Sequence, residues 1–355
     1  IFASAVVAVA GTGGMIMPPV MGAASFIMAE FLGMQYATIM IAAAIPAILY
    51  YIAEYAVVHI EAKKMGMRPI PREQIIPLSK VLKERGHLLI PIVAIVYLLL
   101  IGRTPLYAAF YGIVISVAVS FLTKETRMNW TSFIRAMESG ARQSVGVGVA
   151  CAVVGNIIGI INLTGLGLVL GDNIVSLAGG NMLLTAFLTM IVSIILGMGL
   201  PTTACYIVTA TIAAPALIKL GVNPLAAHMF AYYFACLSNL TPPVAIASYG
   251  AAGLSGQNPS KVGWTGFRIS LAGFLIPFTF VNNPELLLVG GTTLSRIVST
   301  ATSFVGVLIL AAALQNYFLR PMNLLQRAMM FVGSILLIFP GLTTDIMGVV
   351  LAGSV

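Results

Sequence analysis

Apolar stretches separated by short polar or basic segments run through nearly the whole chain, and they come in two kinds. Those from Tyr36 to Ile60, His87 to Ile101, Pro105 to Leu122, Ser144 to Leu170, Gly263 to Val281, Ile297 to Phe318 and Leu325 to Phe339 predict membrane helices, a crossing taking about 20 apolar residues. Others come in halves. Met182 to Met198 runs into GLPTT (Gly199 to Thr203) and resumes from Ala204 to Leu220. Leu225 to Leu237 runs into SNLTPP (Ser238 to Pro243) and resumes from Val244 to Leu254. Ile1 to Ala10 meets GTGGMIMPP (Gly11 to Pro19) and resumes from Val20 to Phe31. At about 1.5 Å per residue, each half is too short or marginal to cross alone.

Proline removes a backbone donor and its ring clashes with the preceding turn, so Pro-Pro in an apolar stretch stops a helix. Within lipid the freed backbone groups are tolerated only where protein or a wet cavity surrounds them. Pro18-Pro19 and Pro242-Pro243 therefore predict two re-entrant hairpins with tips near the bilayer midplane, and GLPTT predicts a broken helix. The two Pro-Pro segments also align with each other, Pro18-Pro19-Val20 on Pro242-Pro243-Val244, with small-residue helices following. Two large internal halves follow from that likeness, since the separation exceeds any solenoid period.

Composition excludes a soluble globule. Of 355 residues 59% are hydrophobic and only 8% charged, against about 25% charged in an ordinary domain. The net charge of +8 would point to nucleic acid in a soluble protein, but here its distribution is a topology signal. Lys63, Lys64, Arg68, Arg72, Lys80, Lys83 and Arg85 follow the first crossing, and Lys124, Arg127, Arg135 and Arg142 lie in the next such loop. With both loops cytoplasmic, alternation places Lys219, Lys261, Arg268, Arg320 and Arg327 inside as well, and only Arg103 and Arg296 outside. The two Pro-Pro hairpins then open to opposite faces, an inverted-topology repeat as in secondary transporters. Cys151, Cys205 and Cys236 stand alone in apolar runs, without zinc-site spacing, and read as packing residues. The chain opens on Ile1 inside an apolar segment, without a basic leader, which reads as a fragment lacking its N-terminal part.

Helix ends supply the chemistry. A half-helix starting at Val244 aims free N–H groups and its positive end at the tip, which suits a carboxylate. One ending at Leu237 aims carbonyls there, which suits a small cation. Ser238, Asn239 and Thr241 add neutral oxygens and an amide, Thr12, Gly13 and Gly14 a hydroxyl and an accessible backbone, and Thr202 and Thr203 further hydroxyls. Thr12, Gly14, Thr202, Thr203, Ser238 and Asn239 are the candidate Na⁺ ligands, and no other cofactor is implied. C4-dicarboxylates, amino acids, keto acids and sialic acid all present a carboxylate to such a site.

The segments GTGGMIMPPVMGAASFIMAEFLG, GLPTTACYIVTATIAAPAL and AAHMFAYYFACLSNLTPPVAIASYGAAG resemble the large membrane subunit of tripartite ATP-independent periplasmic (TRAP) transporters, in particular the fused permeases of TAXI type, over Ile1 to Pro284. The resemblance implies an all-α polytopic, elevator-type transporter of the bacterial or archaeal cytoplasmic (inner) membrane, with inverted repeats, two re-entrant helical hairpins and broken helices. It implies Na⁺ symport of organic acids delivered by a periplasmic TAXI-type solute-binding protein, with a small membrane subunit or its fused equivalent. Its tip positions fall on Gly13, Gly14, Pro18, Pro19, Ser238, Asn239, Thr241, Pro242 and Pro243, the substrate-binding candidates. Leu240 interrupts the Ser-Asn-Thr tip of the related dicarboxylate-sodium transporters, and the first motif has no Ser-Asn pair. The segment preceding Ile1 is then expected to hold a further broken helix, scaffold helices and the small-subunit region.

The expected organisation is a first re-entrant hairpin (1–34), membrane helices with basic cytoplasmic loops (35–143), a second repeat with broken helix and hairpin (144–262) and C-terminal membrane helices (263–355). The sequence holds no HExxH, no GxSxG with a partner histidine and no paired aspartates on facing spans, which argues against an intramembrane enzyme. A passive channel or assembly subunit would also use broken helices. Glu54 and Glu30 are the only acids before Ile60 and, as intramembrane carboxylates, are functional candidates. His228, Tyr232 and Tyr233 read as packing residues, Asp172 and Asp345 as interfacial, and Gly146-Val147-Gly148 as a close-packing site.

Overall fold

The computed structural model describes residues 1–68, 71, 74, 76–339 and 341–355, with the side chains of 147, 150, 158, 162 and 342 also left out. Arg72 of the first basic loop and the Val147 side chain thus lie outside the described residues. The protein is all-helical and polytopic. Its helices are α1 (Phe2–Ile16), α2 (Ala24–Leu32), α3 (Tyr36–Lys64), α4 (Leu78–Arg85), α5 (Ile90–Leu100), α6 (Pro105–Ser120), α7 (Trp130–Thr164), α8 (Leu166–Leu177), α9 (Met182–Gly197), α10 (Thr202–Ile212), α11 (Ala214–Lys219), α12 (Pro224–Leu237), α13 (Ile246–Ser255), α14 (Pro259–Ile269), α15 (Leu271–Asn282), α16 (Thr293–Gln315), α17 (Leu324–Ile338) and α18 (Leu342–Gly353). Five stretches among the described residues are long and apolar enough to cross a membrane unaided: α3, the apolar part of α7, α10–α11, α14–α15 and α16.

The chain breaks where Pro and Gly predicted, but the breaks have different shapes. α9 packs along both α10 and α11, which two collinear halves could not do. The segment around GLPTT is therefore a helical hairpin, turning through Gly199 at φ +83°, a conformation glycine adopts without steric cost. The Pro-Pro segments are instead the broken helices. Neither α1 with α2 nor α12 with α13 forms a packed pair; α1 lies on α13 and α14, and α12 on α10, α15 and α9. The Ser4 hydroxyl donates to the Ser255 hydroxyl at 2.9 Å, while the Phe31 ring lies 6.3 Å from the His228 ring at the far end. The two broken helices thus run antiparallel, side by side, with their breaks crossing in the middle. Pairing each half with a neighbouring element, rather than with its own other half, is what opens the hairpin into a through-going span.

This exchange of roles moves one basic residue. The ammonium of Lys219, at the end of the hairpin, pairs with the Asp172 carboxylate of α8. Val154 and Ile161 of α7 share an apolar cluster with Ala204, Val208 and Ile212 of α10, and Gly167, just past the end of α7, lies against both Ile161 and the Thr211 carbonyl near the end of α10, so α7 and α10 run in the same direction, away from the basic loop at Lys124–Arg142. Lys219 accordingly joins Arg103 and Arg296 on the less basic side, and the other fourteen basic residues among those described remain opposite. The positive-inside asymmetry survives the correction.

Other boundaries shift for local reasons. The crossing expected to run unbroken to Leu170 stops at Thr164, because Gly165 adopts φ +66° and starts α8. α7 begins at Trp130, well before the apolar run. The half-helix expected from Val244 begins at Ile246, after Ala245 at φ +34°. α16 packs on α3 and α17, and α17 on α18. Lys64 Nζ donates to the Gln315 carbonyl at 3.2 Å, so α3 and α16 end on the same side.

Candidate functional site

The second break ends a helix that is apolar or aromatic apart from His228. α12 passes into a 3-10 turn over Ser238–Leu240, then through Thr241-Pro242-Pro243-Val244 to α13. The turn is held by its own side chains: the Ser238 hydroxyl donates to Ala235 O at 2.9 Å, Thr241 Oγ1 to Leu237 O at 2.9 Å, and Asn239 Nδ2 to Cys236 O at 3.4 Å. Small polar side chains thereby take carbonyls that the ending helix leaves free. Tyr249 donates to Pro243 O at 2.7 Å.

The hairpin tip docks on this turn. Gly197 O accepts a second, 3.3 Å contact from the Ser238 hydroxyl, and Asn239 Nδ2 donates to Thr202 Oγ1 at 3.1 Å. Thr202 Oγ1 in turn points at the Met15 sulfur of α1, 3.3 Å away. Three chain segments thus meet: the end of α1, the hairpin tip and the second break. The approach depends on Gly197, where a Cβ would lie 2.8 Å from the Ser238 Cβ.

The first break has the same backbone form as the second. Met21 and Ala245, each two residues after its Pro-Pro pair, have φ +49° and +34°, the left-handed region rare for residues with a Cβ, and both Pro-Pro peptide bonds are cis. Its polar groups are supplied differently, by tyrosines from other helices. The Tyr232 hydroxyl of α12 donates to Met15 O and accepts from Gly22 N at 3.0 Å. Tyr36 donates to Pro19 O at 2.8 Å and is within 3.1 Å of Val20 O. On α3, Tyr50 donates to Val9 O at 3.0 Å and Tyr51 to Ala10 O at 2.9 Å.

Of the residues singled out from the sequence, the structure brings Ser238, Asn239 and Thr202 together. Thr241, Pro242 and Pro243 lie on the same turn, and Thr203 is the next residue of α10. Gly13 faces elsewhere: it is buried against α3, where a Cβ would stand 3.0 Å from Tyr51 Cζ and closer to the Tyr50 ring. Thr12 is buried with its hydroxyl on Ala8 O at 3.0 Å. Gly14 is exposed, and Pro18 and Pro19 are half-buried beside Tyr36. A sequence scan for polar tips does not find Met15, Gly197, Tyr36 or Tyr232, whose roles depend on partners 16 to 217 positions away. Cys205, 3.9 Å from the Ser238 hydroxyl, is a packing neighbour of the turn.

Ser238, Asn239, Thr202 and the Gly197 carbonyl bring neutral oxygens and an amide to one junction, with no ionised side chain among them. The first-turn amides of α10 and α13, neither capped by a side chain, suit an anion.

Two antiparallel broken helices clasping a hairpin tip within a helical membrane bundle define a polytopic transport-type membrane protein. Residues 1–294 match the family "Tripartite ATP-independent periplasmic transporter, DctM component", and the chain belongs to that family, as a membrane permease component of a TRAP transporter. Membership implies a periplasmic solute-binding protein and a small membrane subunit as partners. No curated protein matches the sequence.

Proposed function

We propose that the protein is the permease of a secondary active importer that carries organic acids with Na⁺ across the inner membrane of a bacterium or archaeon, receiving them from a TAXI-type solute-binding protein. The observation that supports this reading best is the junction of Asn239, Thr202 and Met15, where a hairpin tip closes on two helix breaks. A carboxylate would be held by the free amides at the starts of α10 and α13, and Na⁺ by Ser238, Thr202 and Thr203 oxygens with the Gly197 carbonyl. Both charges are then met by dipoles, which costs the bilayer less than fixed ionised side chains at the same depth. Movement of the hairpin with its attached turn against the remaining helices, an elevator step, would carry the site between faces.

The test is uptake of a radiolabelled solute by the complete permease in proteoliposomes, with the solute chosen as the one its binding protein retains. Uptake is expected to need an inward Na⁺ gradient and the loaded binding protein. Flux indifferent to every ion gradient would make the protein a passive channel instead.

A further inference from the structure

Glu54 sits in the middle of α3, only 6% exposed, and among the described residues neither of its carboxylate oxygens, which have almost no accessible surface, has a hydrogen-bond partner. It lies one turn beyond Tyr50, whose ring is wedged between Gly13 of α1 and Gly273 of α15. From the basic end at Lys64 it is ten residues away, about 15 Å along the helix.

Among the described residues nothing nearby offers compensating charge. Of the elements packed against α3, α1 and α15 carry no ionisable side chain, α2 carries only Glu30, α5 only Tyr97 and α16 only Arg296. The short turn Pro284–Leu287 adds Glu285, which Ser295 and Ser299 engage. Because α3 and α16 end together at Lys64 and Gln315, Arg296 lies about 13 Å further along the axis than Glu54. On α3 itself Tyr50 and Tyr51 are committed to the Val9 and Ala10 carbonyls, Tyr55 stacks on His59, and Glu61 pairs with Lys64 at 3.6 Å while Lys63 shares that polar end.

An ionised carboxylate stripped of water and partners costs several kcal/mol or more. A metal cation would need several further ligands around it, and the described residues gather no cluster of His, Cys, Asp or Glu that could supply them. A proton needs one oxygen only. We propose that Glu54 is a proton-binding site: in this conformation the carboxyl is the neutral acid, and it exchanges that proton with water only when α3 parts from its neighbours. Loading forms one O–H bond between a proton from water and a carboxylate oxygen, and unloading breaks it, with one charge changing at Glu54. The site is separate from the Ser238–Thr202 junction and independent of which solute or ion that junction takes.

Infrared difference spectroscopy on the complete permease in lipid nanodiscs tests it without any solute, the proton of the buffer being the probe. A protonated-carboxyl band is expected at neutral pH, downshifted in D2O, lost in Glu54→Gln and moved in frequency in Glu54→Asp. Glu54→Gln, isosteric with the neutral acid, is expected to melt within a few degrees of the wild type. No such band in the wild type, or an unchanged band in both variants, overturns the proposal; if Glu54→Gln does not fold, the Glu54→Asp shift alone decides.

Discussion

Lys219, the last residue of α11, pairs with Asp172 of α8, and this contact settles the side on which the hairpin opens. Two partly exposed charges contribute little stability, typically under about 1 kcal/mol. As a geometric constraint the pair is informative, since it ties the end of the hairpin to a helix that leaves α7 on the side opposite its basic start.

Impermeant maleimide labelling of intact cells checks this orientation. In a background lacking Cys151, Cys205 and Cys236, Lys219→Cys and Arg103→Cys are expected to react from outside, and Lys124→Cys only after permeabilisation. Labelling of Lys219→Cys together with Lys124→Cys would restore the hairpin to the basic side.

Gly197→Ala puts a methyl where the Ser238 side chain already is, 2.6 Å from its Oγ. The Cys205 sulfur is closer still, and the Ser238 hydroxyl is tied to Ala235 O and Gly197 O, so the methyl meets two buried side chains that have little room to yield. Overpacking of this kind costs about 1–3 kcal/mol, read as a lower melting temperature of the purified protein, and uptake is expected to fall with it. Gly253→Ala, with open space around its Cβ position, is the control expected to melt like the wild type.

Tyr232→Phe removes the hydroxyl that serves both Met15 O and Gly22 N at the first break. Leaving buried polar groups unpaired costs about 1–3 kcal/mol. Tyr249→Phe removes a single bond to Pro243 O at a partly exposed position and is expected to cost about 0.5–1.5 kcal/mol, the net worth of one ordinary hydrogen bond. Thermal melts of the two variants side by side give the ordering.

Asn239 and Thr202 couple the second break to the hairpin tip. Asn239→Ala and Thr202→Val are each expected to lower uptake about tenfold or more without loss of expression, one lost charge-free hydrogen bond amounting to about 1.4 kcal/mol. The double variant is expected to lose less than the product of the two, because residues in contact are not additive. Strict additivity would mean that the two act apart, and unchanged uptake in both singles would remove the site assignment.

Much of the site is legible in the residues themselves. Ser238, Asn239 and Thr241 stand out as polar groups in an apolar helix, and Pro242-Pro243 as the reason that helix stops. Their backbone ties are local and follow from spacing of three or four residues. Gly13 reads as a backbone opened to a ligand, yet it is filled by Tyr50, because a missing Cβ serves a ligand and a packed aromatic ring equally well. Tyr232 reads as packing, correctly as far as its ring goes, while its hydroxyl completes a break 210 positions away.

By itself the sequence determined that the chain is a bundle of membrane helices, where those helices break, and which loops gather the basic residues, because solvation by lipid, missing N–H groups and charge placement act on each segment separately. Only the tertiary structure decided which breaks are bent spans and which is a hairpin. Two short apolar halves around a Pro or Gly look the same in either case; what separates them is whether each half buries its surface against its own partner, as α9 does along α10 and α11, or against another segment, as α1 does on α13.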